Sequence, residues 1–161
     1  MTGSDVSLRE ITPANRSAVE ALTVTAGQSE YVEGVAGSLV EAAETPDACP
    51  WYRAVYVDDT PVGFVMISDG ITVVNPDYLG PYFLWRLLID QHHQGRGYGA
   101  AALRLVVDHV RTRPAARVLI TSVGQGPSSP IGFYRSQGFR ATGDVHEGEL
   151  VLELDLHVSS R

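Results

Sequence analysis

The chain has 161 residues, 44% hydrophobic and 19% charged, a composition that indicates one folded globular domain and excludes a fibre or a low-complexity segment. Its 12 basic residues are all arginines and face 19 acidic residues, so the formal net charge of −7 argues against nucleic acid as a partner. Cys49 is the single cysteine, which excludes an intrachain disulfide and a cysteine-based zinc site; we expect no metal centre.

No apolar run approaches the roughly 20 residues of a membrane-spanning helix, and residues 1–7 lack the pattern of a secretion signal. We therefore expect a cytoplasmic protein with no membrane partner, organised as one domain over residues 1–161. An acidic chain attracts cations at long range, which favours a basic small molecule as its substrate.

The first half of the chain alternates apolar runs with turn residues. Thr12 and Pro13 predict the start of a helix, as N-cap and first-turn residues. In chain order, the patterns predict a strand over 6–11, helices over 15–24 and 28–44, a hairpin with strands over 51–57 and 62–67, a loop over 69–80 and a strand over 82–89. The last run is nearly all apolar, so we expect that strand to be buried on both faces.

The second half begins with an amphipathic helix whose apolar stripe consists of Leu103, Val106, Val107 and Val110. The further predicted elements are a strand over 118–123, a short helix opened by Ser129-Pro130 and closed by Gly138, and strands over 139–142 and 150–156. Strands and helices mix without strict alternation. The predicted fold class is therefore α+β, or α/β with a largely antiparallel sheet.

A glycine-rich turn, Gln94-Gly95-Arg96-Gly97-Tyr98-Gly99-Ala100, joins the strand over 82–89 to the amphipathic helix. Glycines let the main chain approach an anion closely, and the amino end of a helix carries a partial positive charge. Arg96 would add a charged donor. The turn therefore predicts an anion site, and a pyrophosphate is the ligand that fits it best.

Three cofactor classes use such a turn. A nucleoside-triphosphate loop requires a lysine, which this chain lacks. Gly95, Gly97 and Ala100 match a dinucleotide motif, but that motif belongs to a first strand–helix unit, and here it follows about 90 residues of other structure. A turn that serves only helix packing is a further alternative. Coenzyme A fits the position of the turn best.

The segment Gln94-x-x-Gly97-x-Gly99 after Leu87-Leu88-Ile89 resembles the acetyl-CoA signature of the GNAT N-acetyltransferase superfamily, and residues 132–139 resemble its F-Y-x-x-x-G-F segment. The resemblance implies a mixed, mostly antiparallel sheet flanked by helices on both faces, with acetyl-CoA as cofactor. The cofactor contacts that it implies are Leu87, Leu88, Ile89, Gln94, Gly95, Arg96, Gly97, Tyr98, Gly99, Ala100, Ser128 and Tyr134. One departure is Pro127, where the family often has Asn; a cofactor contact is either missing there or supplied by Ser128 or Ser129.

The resemblance also implies direct transfer of an acetyl group to an amine in a ternary complex, with a main-chain N–H of residues 87–89 binding the thioester oxygen. Tyr134 is the expected acid that protonates the departing sulfur; the alternative is an aromatic side chain that only packs beside Phe133. A base must take a proton from the ammonium group, and no carboxylate stands out. The candidates are Glu33, Glu41, Asp77, Glu147 and Glu149.

Residues 82–99, with Ser129-Pro130 before Phe133, resemble the bacterial diamine (spermine/spermidine) acetyltransferases, which implies a polyamine acceptor. The expected substrate-binding residues are Glu33, Glu41, Asp77 and Glu149. The alternatives are an acetyltransferase for another amine, such as an aminoglycoside-type antibiotic, an amino acid or a protein N-terminus, and a coenzyme A-binding sensor without turnover. The fold resembled often forms dimers, which makes residues 150–156 a candidate homodimer contact.

Overall fold

The structure, a computed structural model, describes residues 5–157. Its strands are β1 (Val6–Arg9), β2 (Pro50–Val57), β3 (Thr60–Asp69), β4 (Tyr82–Ile89), β5 (Val118–Val123), β6 (Arg140–His146) and β7 (Glu149–Asp155). Its α-helices are α1 (Arg16–Glu20), α2 (Val35–Glu44), α3 (Tyr98–Arg111) and α4 (Ile131–Ser136), and short 3-10 helices lie at Gln28–Glu30, Pro46–Ala48 and Gln91–His93. Among the residues described, no helix is long and apolar enough to cross a bilayer.

The seven strands form one sheet in the order β1-β2-β3-β4-β5-β7-β6. Every neighbouring pair is antiparallel except β4 and β5, which run parallel and pair only at Phe83–Ile120 and Leu84–Thr121. The two strands therefore separate beyond Leu84, and a cleft opens between their carboxyl ends. The predicted mixed, mostly antiparallel sheet is confirmed.

Helices cover both faces of the sheet, as expected. On one face, Val19 of α1 and Leu39 of α2 pack with Phe64 and Met66 of β3 in a buried cluster. On the other face, the apolar stripe of α3 joins buried side chains of β2, β3, β5 and β7, and Tyr134 of α4 belongs to this second cluster. Because both faces are covered, the ends of β4 and β5 are held at the middle of a rigid sheet.

The predicted helix over 28–44 is wrong in its first third. Residues 28–30 form a 3-10 helix, and α2 begins only at Val35 after Gly34 adopts extended backbone with ψ of 172°. Val35, Leu39 and Ala42 of the predicted stripe are buried on α2. Tyr31 precedes α2, and its ring lies against Gly124 and Gly126. The first helix is also shorter than predicted and begins at Arg16, after Asn15. Thr12 caps the turn that leads into it, since its carbonyl accepts from the Arg16 amide at 2.9 Å and its hydroxyl from the Ala14 amide at 3.2 Å.

One further expectation is wrong. Of the strand predicted to be buried on both faces, only Leu84 and Leu88 are buried, because a cavity opens against each half of β4. The segment 150–156, a candidate homodimer contact, forms most of β7, which lies between β5 and β6 and so pairs along both of its edges. It offers no free edge for strand pairing with a second copy, and the homodimer itself stays a prediction. The outer strands of the sheet are β1 and β6.

Candidate active site

The cleft between β4 and β5 forms a cavity of about 550 Å³, which we call the glycine-turn cavity because residues 94–100 contribute to its wall. Eleven of the twelve predicted cofactor contacts line it: Leu87, Leu88, Ile89, Gln94, Gly95, Gly97, Tyr98, Gly99, Ala100, Ser128 and Tyr134. The structure therefore brings together residues that lie up to 47 positions apart in the chain. Their individual roles stay predictions.

The glycine-rich turn presents main-chain donors to this cavity. Gly95 and Gly97 have φ of 78° and 81°, the left-handed region that glycine adopts without strain, and a Cβ on either would meet no atom within 4 Å. Gly97 caps α3, whose first intrahelical bond runs from the Ala101 amide to the Gly97 carbonyl at 3.1 Å. The amides at the start of α3 thus have no acceptor within the helix and suit a diphosphate.

The Gln94 side chain fixes the turn against β4. Its amide nitrogen donates to the Ile89 carbonyl at 2.8 Å, and the Gln94 and Gln28 amides pair reciprocally at 2.8 and 3.2 Å. Gln28 belongs to the segment that joins α1 to α2, so this pair ties that segment to the glycine-rich turn. Residues 24–32 therefore stay close to the cleft and contribute Val24, Gln28, Tyr31 and Val32 to its wall.

Arg96 is the one predicted cofactor residue that does not line the cavity; it is exposed. Ser128 lines the cavity, as does Ser129, but the Ser129 hydroxyl donates to the Gly124 carbonyl at 2.5 Å and so holds the β5–α4 loop. Pro127 does not contribute to the wall. Of the two serines proposed to replace the family's Asn, Ser128 is therefore the better placed.

Tyr134 packs against its aromatic neighbours, and its role as the acid stays a prediction. Its ring packs edge-on against Phe133 and Phe139, with centroids 5.2 and 5.4 Å away, while the residue also lines the glycine-turn cavity. Burial raises the pKa of the Tyr134 phenol above its ordinary value, so the hydroxyl is protonated at neutral pH. A thiolate in the same apolar surroundings would also become more basic, which keeps proton donation from this phenol feasible.

A second cavity, of about 650 Å³, adjoins the first, and we call it the acidic cavity. Its wall contains five carboxylates and one guanidinium: Glu33, Glu41, Asp77, Glu147, Glu149 and Arg86. All four predicted substrate-binding residues are among them, together with the fifth candidate base, Glu147. The five carboxylates come from four parts of the chain, namely the segment before α2, α2 itself, the β3–β4 loop and the β6–β7 hairpin. Within residues 5–157 no three His, Cys, Asp or Glu side chains are grouped to hold a metal ion.

Arg86 neutralises one of these charges. Its Nη2 donates to Glu41 Oε1 at 2.5 Å and its Nη1 to the Trp85 carbonyl at 2.9 Å. An arginine in an apolar strand requires such an acid, and the sequence did not identify it because 45 residues separate the pair. Glu41 therefore contributes less to the negative charge of the cavity than the other carboxylates.

The loop between β3 and β4 forms one side of the acidic cavity. The Tyr78 hydroxyl donates to Asp47 Oδ1 at 2.6 Å, and His146 Nε2 lies 3.2 Å from the Asp77 carbonyl oxygen. The Asp47 carboxylate accepts this bond and raises the pKa of Tyr78. These two contacts hold Asp77 over the cavity and link the loop to the β6–β7 hairpin.

Tyr31 and Val32 line both cavities and so mark the junction between them. Tyr31 lies across two glycines of the β5–α4 loop: a Cβ on Gly124 would be 2.9 Å from Tyr31 Cδ1, and one on Gly126 would overlap the Tyr31 hydroxyl. The sequence analysis assigned Tyr31 to the apolar stripe of a helix because its spacing matched that of Val35 and Leu39, and so missed its place at the junction. Gly124 and Gly126 were the signal that could have indicated it, since glycines allow an aromatic ring to pack directly on the main chain.

The sheet thus carries two adjoining cavities, one lined by the glycine-rich turn at the start of α3 and one lined by carboxylates. Residues 15–139 match the model of the acetyltransferase (GNAT) family, and the chain belongs to this family. It is an acetyl-CoA-dependent N-acetyltransferase.

The chain is 27% identical to the spermine/spermidine N(1)-acetyltransferase of Bacillus subtilis strain 168 over 154 residues, 94% of this chain and 99% of that one. Its fold is similar to that of PaiA N-acetyltransferase from Thermoplasma acidophilum in complex with coenzyme A, with a TM-score of 0.65 at 12% identity over 94% of this chain and 99% of that one. It is also similar to aminoglycoside acetyltransferase AAC(6')-Ib in complex with coenzyme A, with a TM-score of 0.74 at 14% identity over 94% and 95% of the two chains.

Proposed function

We propose that the protein transfers the acetyl group of acetyl-CoA to a primary amine of a polyamine or diamine. The observation that carries the proposal is that the acidic cavity meets the glycine-turn cavity at Tyr31 and Val32. An ammonium group held by the carboxylates would then lie beside the cofactor's reactive end. The name of the Bacillus subtilis relative supports the same class of acceptor.

Acetyl-CoA supplies the acetyl group as a thioester when it is bound. The residues that fit its diphosphate are Gly95, Gly97 and the first amides of α3, and Ser128 lies farther along the same wall. A main-chain N–H of residues 87–89 would donate to the thioester oxygen, a contribution of about 3 kcal/mol in comparable oxyanion sites. Tyr134 would donate its proton to the departing sulfur. The amine attacks directly, in a ternary complex.

The acidic cavity suits a cation that is extended rather than compact. Carboxylates spread along a wall attract several separate ammonium groups, whereas a single amine needs only one partner. An aminoglycoside also carries several ammonium groups, but its linked rings are bulkier than a linear polyamine. Both remain in the panel below because charge alone does not distinguish them.

The test is a rate measurement with purified protein, acetyl-CoA and a panel of amines, following the release of free thiol. The panel contains spermine, spermidine, a short diamine, an aminoglycoside, free amino acids and a peptide with a free N-terminus. We expect the highest kcat/KM with spermine or spermidine. A preference for another amine would replace the acceptor, and binding of acetyl-CoA without turnover on any amine would indicate the sensor.

We also propose that the enzyme acts in the cytoplasm, where its single thiol, the half-buried Cys49, stays reduced. A homodimer formed by strand pairing would use an outer strand of the sheet, β1 or β6, rather than β7. Light scattering on the purified protein measures the oligomeric state directly.

A further inference from the structure

One carboxylate of the acidic cavity, that of Glu149, lies close to the ring of Tyr31, which lines both cavities. Glu149 begins β7, beside the end of β5, and lines the acidic cavity. A Cβ placed on Gly124 would be 2.9 Å from Tyr31 Cδ1 and 3.8 Å from Glu149 Oε2. The Glu149 carboxylate and the Tyr31 ring therefore border the same small volume at the junction.

The other four carboxylates are hydrogen-bonded, exposed or carried by another loop. Glu41 is paired with Arg86, and Glu33 accepts a hydrogen bond from the Gly34 amide at 3.0 Å, at the start of α2. Glu147 has a side chain that is 73% exposed and lies 3.4 Å from His146. Asp77 belongs to the loop between β3 and β4.

Ser122 fixes the orientation of the Glu149 carboxylate. The Ser122 hydroxyl on β5 donates to Glu149 Oε1 at 2.7 Å, and both residues line the acidic cavity. One carboxylate oxygen is thus held against the sheet, while Oε2 is the oxygen nearest the position above Gly124. A base held in this manner needs no rearrangement when its partner arrives.

We propose that Glu149 accepts the proton of the attacking ammonium group, directly or through one water, and that Ser122 positions it; this inference rests on the proposed function. The nitrogen lone pair that is freed forms the C–N bond to the acetyl carbon, and the C–S bond breaks with its electron pair on sulfur. The nitrogen gives up two protons in all. Glu149 passes one to solvent, and the other replaces the proton that Tyr134 gives to the sulfur.

Several other ionisable groups face the acidic cavity and contribute to any pH profile of the enzyme. They come from the connecting segment, α2, β4, the β3–β4 loop and the β6–β7 hairpin: Tyr31, Glu33, Glu41, Arg86, Asp77, Tyr78, His146 and Glu147. The test therefore uses variants whose new side chain keeps nearly the shape of the original one, and it does not rely on the pH profile of the wild-type enzyme alone. It also separates binding of a cation from acceptance of its proton.

The test measures kcat, KM and their pH dependence for Glu149→Gln, with the amine that wild-type protein acetylates best. We expect kcat to fall about 100-fold, as removal of a general base does, with the affinity for coenzyme A unchanged. The remaining rate should rise about tenfold per pH unit, since the neutral fraction of a primary amine does so below its pKa near 10. Glu149→Asp should recover part of kcat.

Two further variants identify the roles. Ser122→Ala should lower kcat about tenfold and leave the KM for the amine nearly unchanged, because only the orientation of the base is lost. Glu153→Gln is the matched control: Glu153 lies four residues along β7 and lines neither cavity, so its kinetic constants should equal those of the wild type.

A Glu149→Gln enzyme that keeps kcat and the pH profile within threefold would overturn the assignment while leaving the proposed function intact. A higher KM with an unchanged kcat would likewise overturn it, because that result defines a binding carboxylate. If wild-type protein acetylated no amine, the proposed function would fail, and the assignment of a base would fail with it.

Discussion

The two cavities on β4 differ in the groups that line them. The glycine-turn cavity offers main-chain amides beside glycines and apolar side chains, whereas the acidic cavity offers carboxylates that come from four separate parts of the chain. A main-chain site depends on backbone conformation and tolerates changes of neighbouring side chains, while a side-chain site can change its ligand through single substitutions. We call the glycine-turn cavity the cofactor half of the site and the acidic cavity its acceptor half. The cofactor half should be sensitive to replacement of its glycines, and the acceptor half to replacement of its charged side chains.

Gly97→Val should have the largest effect on the cofactor half. A β-branched residue is strained at φ of 81°, and its side chain would occupy the space in front of the α3 amides. We expect the affinity for coenzyme A to fall at least about 100-fold, since two charge-assisted hydrogen bonds at about 1.5–3 kcal/mol each are lost. Calorimetric titration with coenzyme A measures this affinity. Gly143→Val, at φ of 93° in β6 and equally open, is the control for backbone strain.

Tyr134→Phe tests whether a side chain of the cofactor half takes part in chemistry. The edge-on packing against Phe133 and Phe139 survives this change, so stability and coenzyme A affinity should stay close to those of the wild type. We expect kcat to fall about 100-fold because a proton donor has been removed. The release of free thiol measures kcat, and an unchanged value would leave Tyr134 with packing as its only role.

Gly126→Ala tests the junction between the halves. The new methyl group would overlap the Tyr31 hydroxyl, so Tyr31 must move and the passage between the cavities must change shape. In a double-mutant cycle with Tyr31→Phe, which removes that hydroxyl, we expect a coupling of about 1–2 kcal/mol in the free energy of unfolding. The backbone strain of alanine at φ of 148° is the same with and without the Tyr31→Phe change, so it cancels in the cycle. Additive effects would place Tyr31 away from Gly126.

Asp69→Asn should affect stability and neither cavity. Asp69 ends β3 and joins it to the carboxyl end of α3, accepting bonds from His109 at 2.9 Å and from Arg113 at 2.6 Å. Burial tends to raise the pKa of Asp69, but the hydrogen bonds from Arg113 and His109 outweigh it and lower the pKa. A lowered pKa in the folded state gives stability at neutral pH that is lost as the pH falls through that value.

The variant should therefore lose about 1–3 kcal/mol of unfolding free energy at pH 7, the cost of an unpaired buried partner, and less at acid pH. Urea denaturation at several pH values measures the difference. A gap between wild type and variant that stayed constant down to pH 3 would contradict the role given to the ionised carboxylate.

The sequence predicted the cofactor half better than the acceptor half, for a physical reason. The glycine-rich turn and α3 rest on short-range signals, namely residues 94–100 and the apolar stripe that ends at Val110, and both were located correctly. The contacts of the acceptor half join distant residues, as in Glu41–Arg86 and Ser122–Glu149. No local spacing reports such pairs.

The erroneous helix over 28–44 illustrates the same limit. Tyr31 fits the helical spacing of Val35 and Leu39, yet its ring packs on the main chain of Gly124 and Gly126, about 90 residues away. Tertiary packing of one aromatic ring therefore overrode a local periodicity. The four expected substrate carboxylates line one cavity even so. Glu33 precedes α2 and Glu41 lies in its last turn, so both stay on this segment although the helix begins later than predicted.

The most direct test of the separation between the halves is the pair of KM values of one variant, Glu33→Gln/Asp77→Asn/Glu147→Gln. Removing three carboxylates from the acidic cavity should raise the KM for spermine at least about tenfold, at under 1 kcal/mol for each partly screened charge. The KM for acetyl-CoA should stay within twofold of the wild-type value. Equal changes in both constants, or a KM for spermine that did not move, would contradict the division of the site into a main-chain half and a carboxylate half.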